Sequence, residues 1–117
     1  MLDLALGDFY RLIGNHYTEH AFSQFNTLRD ETQVFYFEAM GGRGTEAWTA
    51  GMQQSISAIA ETTDNFRYFL APGADHCILP FPTFYTETVG DVRFVDWLRD
   101  LVGGVDVPSV ACPGCLD

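Results

Sequence analysis

Near the start of the chain, apolar side chains recur at Leu2, Leu6, Phe9 and Ile13. That spacing marks one face of a helix. A helix over 2–13 follows, with Asp3 as an early acidic residue and Gly14-Asn15 as its stop. At His20–Phe25 the pattern shortens to alternation, which predicts a strand, and Asn26–Arg29 reads as the loop leaving it. Asp30 opens a second helix as its N-cap, with Gln33 at the three-residue spacing of a capping box. The strongly apolar run Val34–Met40 continues that helix until Gly41-Gly42. Thr45 caps a third helix reaching Thr62, with Trp48, Met52, Ile56 and Ile59 on one face. Phe66–Leu70 predicts a short buried strand, closed by the turn signal Ala71-Pro72-Gly73, with loop from there to Thr83. A last helix begins at Asp91 or Val92, turns Phe94, Trp97, Leu98 and Leu101 inward and ends at Gly103-Gly104. The tail from Val105 to Cys115 carries no regular pattern.

Helix, strand, helix, helix, strand, helix is an α/β order, because a long helical crossover between strands favours parallel pairing with helices on the faces. The 117 residues suffice for a single domain, 1–117, and not for two. Two strands alone make a poor sheet. The sheet is therefore expected to be incomplete, with further strands preceding Met1.

Composition adds exclusions. Hydrophobic residues make up 47% and aromatics 15%, with ten Phe, a globular balance with a surplus of apolar surface. The net charge of −10, from 16 acidic against 6 basic residues, repels phosphate backbones and anionic membranes, so nucleic acid is not expected as a partner. No stretch approaches the ~20 apolar residues of a membrane span. Met1–Tyr10 holds Asp3 and Asp8 and no basic residue, so it does not read as a secretion signal. The three cysteines, Cys77, Cys112 and Cys115, permit one disulfide, expected to tie Cys77 to the tail. Cys112-Pro113-Gly114-Cys115 lacks the second pair of a zinc site and does not open a helix as a redox motif would. No metal or organic cofactor is expected.

The residues able to do chemistry lie after the strands. Ligands of open α/β sheets bind beyond the carboxyl ends of the strands. The first strand runs out just before Asp30 and the second just before His76, so loops on adjacent parallel strands would bring an acid and a base together. An imidazole suits proton transfer near neutral pH, and a carboxylate on its ring fixes tautomer and orientation. Acid before base is the chain order of α/β-hydrolases. Asp75 is the alternative partner for the ring. Phe81–Tyr85 follows the base closely enough to line an acyl or sugar pocket. His16 and His20 have the i, i+4 spacing of a zinc pair, but Gly14 and the strand signal separate them from one helix. Gly41-Gly42-Arg43-Gly44 lacks the Lys-Ser/Thr pair of a phosphate loop. Trp48 and Trp97 sit at helical core positions.

Several segments in order resemble the pectinacetylesterase family: Asp30-Glu31-Thr32-Gln33 with Val34-Phe35-Tyr36, Asn65 through Ala71-Pro72-Gly73-Ala74-Asp75-His76-Cys77, Phe84-Tyr85-Thr86, Asp96-Trp97-Leu98 and the closing cysteines. The resemblance runs from His20 to Cys115. It implies the C-terminal portion of an α/β-hydrolase-like fold and a Ser-Asp-His triad, with Asp30 of the D-x-x-Q segment as acid and His76 of the H-C dipeptide as base. The family's nucleophile, in G-x-S-x-G, has no counterpart among Ser23, Ser55, Ser57 and Ser109. The implied activity is secreted, cofactor-independent hydrolysis of carboxylic esters on acylated polysaccharide such as pectin, or of another acyl ester. The 117 residues alone are expected to be inactive. Two other readings stand beside it: a non-catalytic structural or binding module that self-associates through an open sheet edge, and a small redox protein using its C-P-G-C.

Overall fold

The computed structural model describes residues 5–112. In order it holds α1 (Leu6–His16), β1 (Phe22–Thr27), α2 (Glu31–Ala39), α3 (Gly44–Thr62), β2 (Phe66–Ala71), α4 (Thr83–Thr86), β3 (Thr88–Val89), β4 (Val92–Arg93) and α5 (Phe94–Val102). The molecule is mixed α/β, with a parallel two-stranded sheet between helices. Among the described residues, no helix is long and apolar enough to cross a membrane.

β1 and β2 pair residue for residue from Phe22↔Phe66 to Thr27↔Ala71. Successive side chains of a strand point to opposite faces, so Phe22, Phe66 and Leu70 share one face and Phe25, Phe69 and Ala71 the other. Both faces are covered, which is the ordinary fate of parallel strands. The first face packs with Leu28 against Ile56 and Ile59 of α3 and Tyr10 of α1. The second packs against Phe94 and Trp97 of α5, with Ile78, Val89, Val107 and Val110. The tail is more regular than its composition suggests. Val110 bridges Phe69 in parallel, its N–H donating to Tyr68 O and its C=O accepting from Leu70 N, each at 2.8 Å. β2 thus lies between β1 and the tail.

The first strand sits two residues later than the alternation of His20–Phe25 suggests. Asp91 and Val92 do not start the last helix. A hairpin of β3 and β4, turned at Gly90 with φ 59°, precedes it, and the helix begins at Phe94. The segment expected to be loop carries no helix or strand until the short α4 begins at its end, Thr83.

The larger correction concerns α1. Leu2 and Asp3 lie outside the described residues. The face expected to be buried is exposed, Leu6 by 71%, Phe9 by 48% and Ile13 by 44%. The helix instead turns Gly7, Tyr10 and Gly14 inward, the small residues letting it approach α3 closely. Gly14 is buried, and Tyr10 meets Phe66 edge to face at 5.4 Å. The Asn65 side chain ties this corner, donating to Gly14 O, Tyr17 O and His20 O. A Cβ at Gly14 would lie 2.4 Å from Thr63 Cγ2 and 3.2 Å from Asn65 Oδ1. Thr63 is buried and β-branched, so it has little room to move. Gly14→Ala is expected to cost about 1–3 kcal/mol as overpacking. Thermal unfolding followed by circular dichroism checks this, and an unchanged or raised midpoint would contradict the close packing.

Candidate active site

Asp30 and His76 stand on loops that leave the carboxyl ends of β1 and β2. Those loops are laced together by backbone hydrogen bonds. Leu28 N donates to Ala71 O, Arg29 N to Gly73 O, and Glu31 N to Ala74 O, at 2.9–3.0 Å. The buried Thr27 adds a side-chain tie, its Oγ1 donating to Asp75 O at 2.7 Å. Two turns need backbone freedom. Gly73 takes φ 101°, and Cys77, directly after His76, takes φ 69°. For a residue with a Cβ, the left-handed region costs roughly 1–2 kcal/mol. The surrounding bonds offset that cost and fix how the chain turns away from the imidazole.

The acid and base meet. His76 Nδ1 lies 2.8 Å from Asp30 Oδ2. The other carboxylate oxygen, Oδ1, accepts from Gln33 N at 2.9 Å, so Asp30 caps α2 while holding the ring. Asp30 is only 3% exposed, whereas the His76 side chain is 42% exposed. A buried carboxylate beneath a half-exposed imidazole leaves Nε2 as the ring nitrogen available for proton exchange. The ring borders a cleft of about 450 Å³, which Glu31, Thr32, Asp75, Cys77, Phe81 and Thr83 help to line. Another hollow, of about 400 Å³, lies between α1 and α3. It holds the Asp8–Arg11 ion pair, whereas the cleft beside His76 carries the Asp30–His76 contact and is the candidate site.

Asp75 does not orient the ring. Its carbonyl is held by Thr27, and its carboxylate acts on Glu87. Burial, and then the negative charge of Asp75, raise the Glu87 carboxyl above its ordinary pKa. A carboxyl raised in the folded state gives stability that is full below its unfolded pKa and is lost as pH rises through the folded one. Glu87→Gln is therefore expected to stabilise the protein at pH 7, by under ~1 kcal/mol. The gain should shrink toward zero below about pH 4. Urea midpoints at both pH values test this, and a gain that persists at low pH would refute the electrostatic cause.

Phe81 to Thr83 reach the cleft, but Phe84 packs against the core and Tyr85 is exposed. The serines stand elsewhere: Ser23 within β1, Ser55 and Ser57 on α3, and Ser109 accepting from Tyr68 N. The cleft lining includes none of them. Cys77 is a free, exposed thiol, which overturns the expected tie from Cys77 to the tail. The reason is placement: Cys77 turns to solvent at the cleft, while Cys112 packs against both core clusters. Cys115 lies outside the described residues. His16 and His20 flank the Tyr17 ring at 4.6 and 5.9 Å. Among the described residues, no three His, Cys, Asp or Glu side chains gather as metal ligands. Thr27, Glu31 and Glu87 were not singled out by pattern, since only the folding of the two loops gives them neighbours at the site. Compared with protein families, curated proteins and solved structures, the chain matches none.

Proposed function

We propose that Asp30 and His76 are the acid and base of a serine-type carboxylic ester hydrolase whose nucleophile comes from outside these 117 residues. One observation carries the reading: a buried carboxylate 2.8 Å from the Nδ1 of a half-exposed imidazole, at the carboxyl ends of paired parallel strands. The resemblance to pectinacetylesterases supports the same assignment and an α/β-hydrolase-like parent fold. In this mechanism a serine hydroxyl attacks the acyl carbon while His76 Nε2 takes its proton. The tetrahedral intermediate collapses, and His76 returns the proton to the departing alcohol. A water activated by His76 then releases the acid from the acyl-enzyme. Asp30 keeps Nδ1 protonated and stabilises the imidazolium. The proposed enzyme is secreted, needs no cofactor and acts on acylated polysaccharide such as pectin or on a related acyl ester.

A second reading, a non-catalytic module that self-associates, draws on the outward apolar residues of α1 and α2, among them Leu6, Phe35 and Tyr36. One assay separates the two: hydrolysis of p-nitrophenyl acetate by the product of the whole reading frame containing these residues, beside its His76→Ala variant. Turnover lost in the variant supports the esterase. No turnover, or turnover indifferent to His76, overturns it.

A further inference from the structure

We infer that Glu31 and Asp75 set the charge preference of the cleft beside His76, so that it takes esters of neutral or cationic alcohols and rejects those bearing free carboxylates. The inference rests on the reading of this cleft as an ester site and narrows its substrate class.

The reasoning begins with what borders the ring. Glu31 is the first residue of α2, directly after the buried Asp30. Asp75 directly precedes His76 in the chain. Both are exposed and both line the cleft. No Arg joins them in that lining, and the chain holds no Lys. Four of the six arginines form ion pairs with other carboxylates: Arg11 with Asp8, Arg67 with Asp106, Arg93 with Asp96, and Arg99 with Asp96 and Asp100; Arg29 lines a separate hollow with Glu46 and Thr49. Among the described residues, no ion pair engages Glu31 or Asp75. The charge of Asp75 is also felt within the fold, being the second cause of the raised pKa of Glu87.

Two un-neutralised carboxylates bordering one concave site focus a negative potential there. The remaining lining suits the same guest. Phe81, about half exposed, offers an aromatic face to a cation. Thr32 and Thr83 bring hydroxyl-bearing side chains, which can hydrogen-bond to a sugar. Ionised uronate, the unesterified part of a pectin chain, would meet repulsion in this cleft. Acetyl groups on neutral or amino sugars, or on uronate whose carboxyl is itself esterified, would not. Acylation sites within neutralised stretches are therefore the expected targets.

The test is an NMR titration of the 117-residue protein, following the amides of Thr32, Cys77 and Thr83. The probes are choline, its uncharged isostere 3,3-dimethyl-1-butanol, and galacturonate. At low ionic strength choline should bind about fivefold or more tightly than the neutral alcohol. Galacturonate should leave the three amides unmoved. Near 1 M salt the choline preference should fade, because the screening length drops to about 3 Å. The double variant Glu31→Gln, Asp75→Asn should bring the two alcohols to equal affinity. Equal binding by the parent protein, a preference that survives the double variant, galacturonate binding as well as choline, or no shift from any probe would each overturn the inference. The readout needs no turnover. A failed ester assay with a surviving choline preference would remove the esterase reading and leave the charge preference intact, and the reverse result would do the opposite.

Discussion

Replacing His76 by alanine in the product of the whole reading frame is expected to lower kcat/KM for p-nitrophenyl acetate by roughly 10⁴-fold or more, the usual cost of deleting a triad base. The size follows from the ring's position. Nδ1 is occupied by Asp30 at 2.8 Å, so only Nε2 can carry a proton between nucleophile, leaving group and water, and alanine removes it. Asp30→Asn is the sharper probe. Asn keeps an oxygen for the Gln33 N–H that caps α2, so the helix start survives. Its amide N–H₂ facing Nδ1, however, forces that nitrogen to accept, which places the remaining proton on Nε2 and disables the base. A loss of about 10⁴ in kcat is expected from that wrong tautomer, with helical circular dichroism unchanged. The downfield proton resonance of an imidazole N–H bound to a carboxylate should vanish in the same variant. Activity within about tenfold of the parent in Asp30→Asn would mean that the contact is structural, since orienting and charge-stabilising partners have larger effects than that.

The second large effect concerns stability. Phe69→Ala is expected to cost about 3–5 kcal/mol. Phe69 is 0% exposed. Its ring meets Phe25 at 5.9 Å, Phe94 at 5.2 Å and Trp97 at 5.5 Å. Its backbone lies between β1 and Val110. Truncation removes the piece shared by sheet, α5 and tail. The neighbours are themselves large rings held by one another, so they collapse poorly into the space. Against a total stability of ~5–15 kcal/mol for a domain of ordinary size, such a loss would leave a measurable unfolded population at 25 °C. Phe69→Leu, which keeps most of the volume, should cost far less, under about 1.5 kcal/mol. Urea unfolding of both variants checks the pair. A loss below 1 kcal/mol for the alanine variant would place the core elsewhere.

Much of this arrangement was legible in the chain. The short segment His20–Phe25 and the run Phe66–Leu70 predicted strands. The long crossover between them predicted parallel pairing. From parallel pairing it followed that Asp30 and His76, each a few residues past a strand end, could meet. Asp30 as N-cap was legible as well, because capping depends on residues three apart in sequence. The hairpin at Gly90 was not, because Val92, Phe94 and Trp97 also satisfy the start of a helical pattern. Two-residue strands are too short to overrule such a pattern.

Local chemistry, acting over a few residues, determined most element positions and the cap on α2. Contacts between distant parts of the chain decided the rest. Periodicity identified α1 as amphipathic but could not choose its inward face, because Gly7 and Gly14 gain from close approach to α3 only once α3 is beside them. Val110 joined the sheet because β2 offered unfilled backbone donors and acceptors on its outer edge, not because its own neighbours favour a strand. Cys77 stayed a thiol because disulfide formation requires sulfurs a bond length apart, and spacing along a chain does not encode that distance. The 2.8 Å contact between His76 and Asp30 belongs to both levels. The residue types and their order were written locally. The loop–loop hydrogen bonds and the turn at Cys77 supplied the geometry that makes them a pair.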